Sequence, residues 1–203
     1  MLTATKDRRD LDEVTMRKLE RNTLSRKKQF ETRVFSIWEE RVKLPSSDRE
    51  KDYYVIESQD WINIIALTDE GNILLIRQFR QGTRSVTVEI PGGMVDPGED
   101  PLDAAKRELR EETGYAAVTW EEIGSVTPNP AIQSNRTYTF LARGAHKAGN
   151  PEPDEDEEIE TEEVALTRIP RLLEDGTIEH ALVVAAFAHL ARKGLLDLSR
   201  HDS

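Results

Sequence analysis

Three glutamates at helical spacing constrain this chain more than any other feature of its sequence. Glu108 and Glu112 stand four residues apart, and Glu111 lies three residues after the first of them. In an α-helix this spacing places all three carboxylates on one face. Because like charges at this spacing destabilise an isolated helix, something must compensate them, and a hard divalent cation bound by oxygen atoms is the natural candidate. The spacing therefore predicts a site for Mg²⁺, with Mn²⁺ as a substitute.

Cap and turn residues define the ends of this helix. Asp100 followed by Pro101 has the N-cap and first-turn chemistry that opens a helix, and Gly114 is a natural C-cap. Arg107 can pair with one of the carboxylates and fix its orientation. The Gly- and Pro-rich loop 91–99 would bring backbone carbonyls close to the same cation. A separate apolar stripe can hold the helix on a sheet, and it consists of Leu102, Ala105 and Leu109.

The composition excludes several classes of protein. The chain has 203 residues, of which 37% are hydrophobic and 33% charged, so it can bury a core beneath a strongly ionic surface. It has no cysteine, which excludes disulfide scaffolds, thiolate zinc sites and cysteine nucleophiles. A formal net charge of −11 makes nucleic acid an unfavourable partner. No stretch suits a membrane span or a signal peptide, so we expect a cytoplasmic protein that does not bind membranes.

Charge and hydrophobic pattern divide the chain into four segments. Residues 1–29 are predicted to form a charged helix or arm, 30–60 a group of strands, 61–195 the main domain and 196–203 a C-terminal tail. Within the main domain, the turn at 69–72 predicts a β-hairpin. Strand and helix patterns then alternate without a regular βαβ rhythm, which favours an α+β fold, an α/β/α sandwich with a mixed sheet.

The helix and the loop before it resemble the Nudix box, the pattern G-x5-E-x7-R-E-U-x-E-E-x-G-U of the Nudix hydrolases. One departure is Tyr115, where the family usually has an aliphatic residue, and it affects the packing after the helix more than the metal site. The resemblance implies the Nudix fold for the main domain. The fixed positions of the box are all filled, by Gly93, Glu99, Arg107, Glu108, Glu111, Glu112 and Gly114.

Other segments are similar to those of one branch of the family, the ADP-ribose and nucleoside-diphosphate-sugar pyrophosphatases. Ile76–Gly82 resembles the substrate-side segment of that branch, Glu89–Gly93 resembles its entry to the box, and Pro130 falls near the proline expected beyond the box. The resemblance implies Mg²⁺-dependent hydrolysis of the pyrophosphate bond of a nucleoside diphosphate sugar, such as ADP-ribose or GDP-mannose. The products would be a nucleoside monophosphate and a sugar phosphate.

The resemblance also implies roles for individual residues. Gly92 would offer its carbonyl to the cation, and Glu108 and Glu112 would be the principal carboxylate ligands. Glu111 would be a further ligand or a base. Arg80 would contact the diphosphate or the terminal sugar.

Three further candidates have more than one interpretation. Glu89, at a strand end, could bind ligand or a further metal, or it could simply pair with Arg77 or Arg80. Trp61 or Phe79 is a candidate for stacking on a nucleobase, although such residues most often belong to a core or an interface.

The acidic stretch 152–163 is interpreted mainly as a solvated, self-repelling loop. The resemblance to the ADP-ribose and nucleoside-diphosphate-sugar pyrophosphatases, however, implies a general base on a mobile loop just before a late strand. Glu155 and Glu157 occupy that position in this sequence. Their concentrated negative charge would raise carboxylate pKa values towards the range useful for a base, whereas bound Mg²⁺ would lower them. The sequence leaves open which of the two acts.

The resemblance further implies a homodimer, because in similar enzymes the strands before the Nudix core form a dimerisation element that completes the partner's substrate site. Two alternatives stay open. The first is a Nudix hydrolase of another substrate class, such as a dinucleoside polyphosphate, a nucleoside triphosphate or an RNA cap. The second is a non-catalytic Nudix module that binds nucleotide sugars.

Overall fold

A computed structural model describes residues 19–47, 49–153 and 158–199 of the chain. Within these ranges the strands, in chain order, are β1 Asn22–Glu31, β2 Phe35–Lys43, β3 Glu50–Ser58, β4 Trp61–Leu67, β5 Asn72–Arg80, β6 Ser85–Glu89, β7 Gly92–Met94, β8 Tyr115–Ala116, β9 Thr119–Val126, β10 Thr137–Arg143, β11 His146–Lys147 and β12 Ile159–Ala165. The helices are α1 Pro101–Thr113, α2 Ile169–Glu174 and α3 Ala181–Arg192. None of the helices in these ranges is long and apolar enough to cross a membrane.

The chain folds into two compact units. The first contains the residues up to Ser58 together with Asn129–Ser134, and the second contains Gln59–Pro128 and the residues from Asn135 onward. In the first unit, β1, β2 and β3 form an antiparallel sheet in that order. This sheet is the N-terminal β element that the sequence predicted.

Strand β1 corrects the expectation that residues 1–29 form a helix or arm, because Asn22–Glu31 is a strand. Its polar side chains find partners on β2 and β3. The guanidinium of Arg26 lies 3.0 Å from the Glu40 carboxylate and 2.9 Å from that of Glu57, and it sits 4.0 Å above the centre of the Trp38 ring. Cross-strand pairs of this kind stabilise a strand that has no apolar face of its own. Residues 1–18 lie outside the described residues.

The second unit is built on a seven-stranded mixed sheet. Its main path is β12-β5-β4-β10-β9, and β10 runs parallel to β4 while the other paired strands are antiparallel. One face carries α3 over a core that includes Ile65, Leu141 and Phe187, and the other carries α1 over a core that includes Leu74 and Leu109. The predicted sandwich of helices on both faces of a mixed sheet is therefore confirmed. A further residue, Leu196, is buried in the α3-side core although the sequence assigned it to the tail.

Strands β4 and β5 separate soon after the hairpin that joins them. They pair only at Leu67 and Ile73, after which β5 pairs with β6 and β4 pairs with β7. Since the other edges of β4 and β5 are taken by β10 and β12, the segment from Glu89 to Met94 runs through the gap between them. The amide of Ile64 donates to the Pro91 carbonyl at 2.8 Å and holds this segment in place. A gap of this kind gives side chains from both helices access to the same segment.

Helix α1 begins and ends as predicted. The Asp100 side chain accepts a hydrogen bond from the Leu102 amide at 2.9 Å, and Pro101 occupies the first turn. At the other end, Gly114 adopts the left-handed conformation with φ 69°, and its amide donates to the Arg110 carbonyl. The same glycine is needed for packing, because a Cβ there would lie 2.5 Å from the Gly149 carbonyl oxygen. Both ends of the helix are thus fixed locally by the sequence.

Candidate active site

Arg107 organises the charged face of α1. Its Nε and Nη2 donate to the two oxygens of Glu99 at 3.0 Å each, and its Nη1 donates to Glu108 at 2.8 Å and to Glu111 at 3.0 Å. Nη2 also donates to the carbonyl of Met94 at 3.1 Å. The hydrogen bonds from Arg107 lower the pKa of Glu99, and those to Glu99 and Glu108 raise the pKa of Arg107. One guanidinium thereby holds the loop before the helix and two of the predicted carboxylates together.

Glu108 and Glu112 lie directly against the glycines of β7. A Cβ on Gly93 would meet the Glu108 carboxylate at 2.3 Å, so this close approach requires glycine. Glu112 is 3% exposed, and its Oε2 accepts a hydrogen bond from the Gly92 amide at 2.9 Å. Gly92 is itself closely packed, since a Cβ there would lie 2.3 Å from the carbonyl oxygen of Ile62. The gap segment and the helix face are therefore in direct contact at the predicted ligands.

The donor atoms in this region fit a hard divalent cation. Glu108, Glu111 and Glu112 supply carboxylate oxygens from one helix face, which lies against β7 at Gly92 and Gly93. In the part of the chain that the structure describes, no three acidic or histidine side chains already converge as a metal-binding group. The carboxylates are instead held by Arg107 and by the Gly92 amide. The sites of metal binding stay a prediction.

Arg80 and Glu89 form a salt bridge across β5 and β6. Nε and Nη2 of Arg80 donate to the two Glu89 oxygens at 2.8 and 2.7 Å, and the hydroxyl of Thr87 donates to Oε1 at 2.6 Å. Burial by itself would raise the pKa of Glu89, but the hydrogen bonds from Arg80 and Thr87 outweigh it, and the pKa lies below its usual value. Glu89 therefore pairs with Arg80, as one of its two interpretations expected, and a role in binding ligand or a further metal stays a prediction. Arg77 pairs instead with Glu162.

The two aromatic candidates occupy different places. Trp61 is the first residue of β4, partly buried, and pairs with Met94 of β7. Phe79 is 51% exposed on β5, and because successive side chains of a strand point to opposite faces, it projects away from the face of Arg80. The two base candidates, Glu155 and Glu157, lie outside the described residues. Their roles stay predictions.

The sequence did not predict two contacts that reach the gap from the α3 side. Nδ2 of Asn63 donates to the carbonyl of Leu182 at 3.0 Å, and Nδ1 of His180 lies 3.6 Å from Oε2 of Glu89. The contact of Thr87 with Glu89 could have been predicted from the sequence, because residues two apart on a strand lie on the same face. His180 gave no such signal because it is separated from Glu89 by most of the second unit.

Comparisons with known proteins agree with this geometry. Residues 58–187 match the NUDIX domain. An ADP-ribose pyrophosphatase of Bacillus subtilis is 32% identical over 186 residues, which cover 91% of this chain and all of the relative. The chain therefore belongs to the Nudix family. The resemblance to this family and its ADP-ribose pyrophosphatase branch is confirmed.

The chain is also similar to a second named relative and to a solved structure. A protein named methanol dehydrogenase activator, from Bacillus methanolicus, is 30% identical over 172 residues, covering 84% of this chain and 92% of that relative. A crystal structure of an ADP compounds hydrolase matches with a TM-score of 0.75 at 24% identity, and the match covers 87% of this chain and 97% of that one. The structural match shows that the fold is shared.

Proposed function

We propose that this Nudix hydrolase cleaves the pyrophosphate bond of nucleoside diphosphate sugars, with ADP-ribose as the first candidate and GDP-mannose as another. Water attacks phosphorus, and the products are a nucleoside monophosphate and a sugar phosphate. The observation that carries the proposal is the network around Arg107, which joins Glu99, Glu108 and Glu111 against the glycines of β7. The proposal is supported further by a relative named ADP-ribose pyrophosphatase, which matches this chain along the relative's whole length.

In this proposal Glu108, Glu111, Glu112 and the carbonyl of Gly92 hold the divalent cation, for which Mg²⁺ is the first choice and Mn²⁺ a substitute. When bound, such an ion neutralises the diphosphate, lowers the pKa of an attacking water and stabilises the leaving oxygen. The protein contributes orientation. Arg107 holds Glu108 and Glu111, and the amide of Gly92 holds Glu112.

Exposure separates the roles of the three carboxylates. The side chain of Glu111 is 43% exposed, whereas that of Glu108 is 14% exposed and Glu112 is almost wholly buried. Glu111 is therefore the one with most access to water, which suits a peripheral ligand or a base. Arg80 is the residue we assign to the diphosphate or the terminal sugar, and Trp61, Phe79 and Glu89 are the other proposed substrate contacts.

We assign the general base to Glu155 or Glu157. The supporting observation is how the chain is held on either side of them. The amide of Glu152 donates to the carbonyl of Glu111 at 2.8 Å, and Ile159 pairs with Gln78 at the start of β12. The described residues on either side of both candidates are thus held at the helix that bears the predicted ligands and at β5.

We further propose that the protein is a cytoplasmic homodimer whose residues 30–60 form the dimerisation element. The supporting observation is that the first unit exposes large apolar side chains on its sheet, among them Phe30 and Tyr54 at 56% and 58% exposure. Light scattering on the purified chain would give its mass in solution. A mass near 23.1 kDa at micromolar concentration would contradict the dimer.

The function is tested by phosphate release in a phosphatase-coupled assay. The substrates are ADP-ribose, GDP-mannose, ADP-glucose, diadenosine polyphosphates and nucleoside triphosphates, each with Mg²⁺ and with EDTA. Glu112→Gln removes a carboxylate charge but keeps an oxygen that can accept from the Gly92 amide. Glu70→Gln makes the same chemical change in the β4–β5 turn and serves as the matched control.

We expect turnover of nucleoside diphosphate sugars with Mg²⁺, abolished by EDTA and by Glu112→Gln and retained by Glu70→Gln. Preference for dinucleoside polyphosphates or triphosphates would place the chain in another substrate class. Binding of ADP-ribose without any turnover would contradict the catalytic proposal and favour a non-catalytic module.

A further inference from the structure

Glu89 is a buried carboxylate in the gap between β4 and β5. It is 3% exposed, and its known donors are Arg80, which engages both oxygens, and the hydroxyl of Thr87. A carboxylate this deeply buried is stable only while cationic or hydrogen-bonding partners replace the water it has lost. Any change that withdraws Arg80 therefore requires another donor for Glu89.

The proposed function demands such a change. If Arg80 contacts the diphosphate, its guanidinium must turn towards the substrate phosphates. It then loses one or both of its hydrogen bonds to Glu89. Of the two donors Arg80 and Thr87, only Thr87 would then remain on Glu89. Binding of the substrate would be opposed by the charge left behind on Glu89.

His180 stands where a replacement donor is needed. Its Nδ1 lies 3.6 Å from Oε2 of Glu89, slightly beyond hydrogen-bonding distance, and this atom is buried without a hydrogen-bond partner among the described residues. The residue precedes α3, but its side chain makes no capping hydrogen bond to that helix. Helix capping therefore does not account for the position of the imidazole.

The backbone around His180 is fixed. Its carbonyl accepts from the Val184 amide at 3.0 Å, and Asn63 donates to the Leu182 carbonyl at 3.0 Å. The two atoms are only about 0.4 Å beyond the usual hydrogen-bonding limit of about 3.2 Å, so we expect side-chain rotation to close the distance without movement of α3. Nδ1–H is a donor in one neutral tautomer of histidine and in the imidazolium ion.

We propose that His180 is a positioning residue that takes over from Arg80 as hydrogen-bond donor to Glu89 when Arg80 engages the diphosphate of the substrate. The inference rests on the proposed function. Its consequence is that His180 affects the binding of substrate more than the rate of the chemical step, because it acts through Arg80 and touches neither the substrate nor the cation.

The test compares His180→Leu with His180→Asn. The amide nitrogen of asparagine can occupy the place of Nδ1 and donate to Glu89, whereas leucine has a similar bulk and no donor. Since a hydrogen bond to a charged group is worth about a tenfold change in binding or more, we expect His180→Leu to raise KM for ADP-ribose about tenfold and to change kcat by less than about twofold. His180→Asn should restore most of the wild-type KM. His146→Leu, at an exposed histidine of β11, is the matched control.

A second comparison isolates the link to Glu89. In a Glu89→Gln background no buried charge needs a partner, so His180→Leu should have no further effect on KM. Thermal unfolding of every variant checks that each one folds. Equal KM values for wild type, His180→Leu and His180→Asn would overturn the proposal, and so would an effect of His180→Leu that persists with Glu89→Gln.

The failure of this proposal can be told apart from that of the proposed function. If the wild-type chain binds ADP-ribose without hydrolysing it, the hydrolase proposal fails, and the same variants are then compared by their Kd in calorimetry with the same expected ratios. If the wild type neither binds nor hydrolyses ADP-ribose or GDP-mannose, both proposals fail.

Discussion

Replacing Gly93 with alanine tests whether Glu108 is held where the proposed reaction needs it. A methyl group on Gly93 would lie 2.3 Å from Oε1 and 2.4 Å from Cδ of Glu108. Real Cβ atoms essentially never approach a neighbour closer than 3.0 Å, so the carboxylate must retreat by at least about 0.7 Å. Because a misplacement of about 1 Å can cost about a hundredfold in rate, we expect kcat/KM for ADP-ribose to fall about 10²-fold.

The fold should tolerate this change, since the methyl group meets the end of a flexible side chain. Gly92→Ala provides the contrast, because its Cβ would lie 2.3 Å from the carbonyl oxygen of Ile62, which belongs to the backbone of a central strand. We expect Gly93→Ala to change Tm by less than about 4 °C, equivalent to about 1 kcal/mol in a chain of this size, and Gly92→Ala to lower it far more.

The measurement is steady-state turnover of ADP-ribose at saturating Mg²⁺, with Tm determined on the same samples. Gly149→Ala is the matched control, because a Cβ there would have no neighbour within 4 Å. Wild-type kcat/KM in Gly93→Ala would refute the argument that Glu108 is placed for catalysis. So would a loss of activity accompanied by the same fall in Tm as in Gly92→Ala, since unfolding would then explain it.

Two further predictions concern Asp100, which caps α1, and Tyr115, which follows the helix in β8. Asp100→Ala removes the side chain that caps the first turn, and it should cost about 1 kcal/mol, or about 2–4 °C in Tm, while kcat and KM stay unchanged; altered kinetics would show that the cap also acts on the site. Tyr115→Phe removes the hydroxyl that donates to Glu163 at 2.7 Å, and urea unfolding should show a loss of about 1 kcal/mol at neutral pH. The hydrogen bond raises the pKa of Tyr115 to about 12 and, together with one from Asn72, lowers that of Glu163, so this difference in stability should hold from about pH 5 to 9. It should disappear as the pH rises through about 12 and as it falls below the usual carboxylate range, and a difference independent of pH would contradict the assignment.

Local chemistry decided which parts of the fold could be predicted from the sequence. The ends of α1 depend on residues within one turn of the helix, so Asp100 and Gly114 sufficed to place them. Strand β1 depends instead on pairs such as Arg26 with Glu40 and Trp38, which become visible only when the neighbouring strand and its register are known. Without that knowledge, the mainly polar sequence of β1 looks like that of an exposed arm.

The same distinction applies to the candidate site. Arg107 bonds Met94 of β7, Glu99 of the loop before the helix, and the helix itself, all close to it along the chain. The sequence therefore sufficed to predict that Arg107 pairs with a carboxylate. The contact of His180 with Glu89 depends on where β4 and β5 separate, and no local pattern indicates that separation. The pairing of Glu89 with Arg80 lies between these cases, because a hairpin register was needed to choose between two arginines close together on one strand.

The structure also refines the reason for expecting a cation. The repulsion among the helix carboxylates was the first argument for a metal, and Arg107 already answers part of it by bonding Glu99, Glu108 and Glu111. One guanidinium nevertheless faces three carboxylates there, and Glu112 adds a fourth that is bound by a neutral amide. The cluster therefore keeps a formal charge of about −3, in a chain whose net charge is −11. A diphosphate cannot approach such a surface unless positive charge accompanies it, so an anionic substrate strengthens the case for a divalent cation beyond what the repulsion within the helix alone requires.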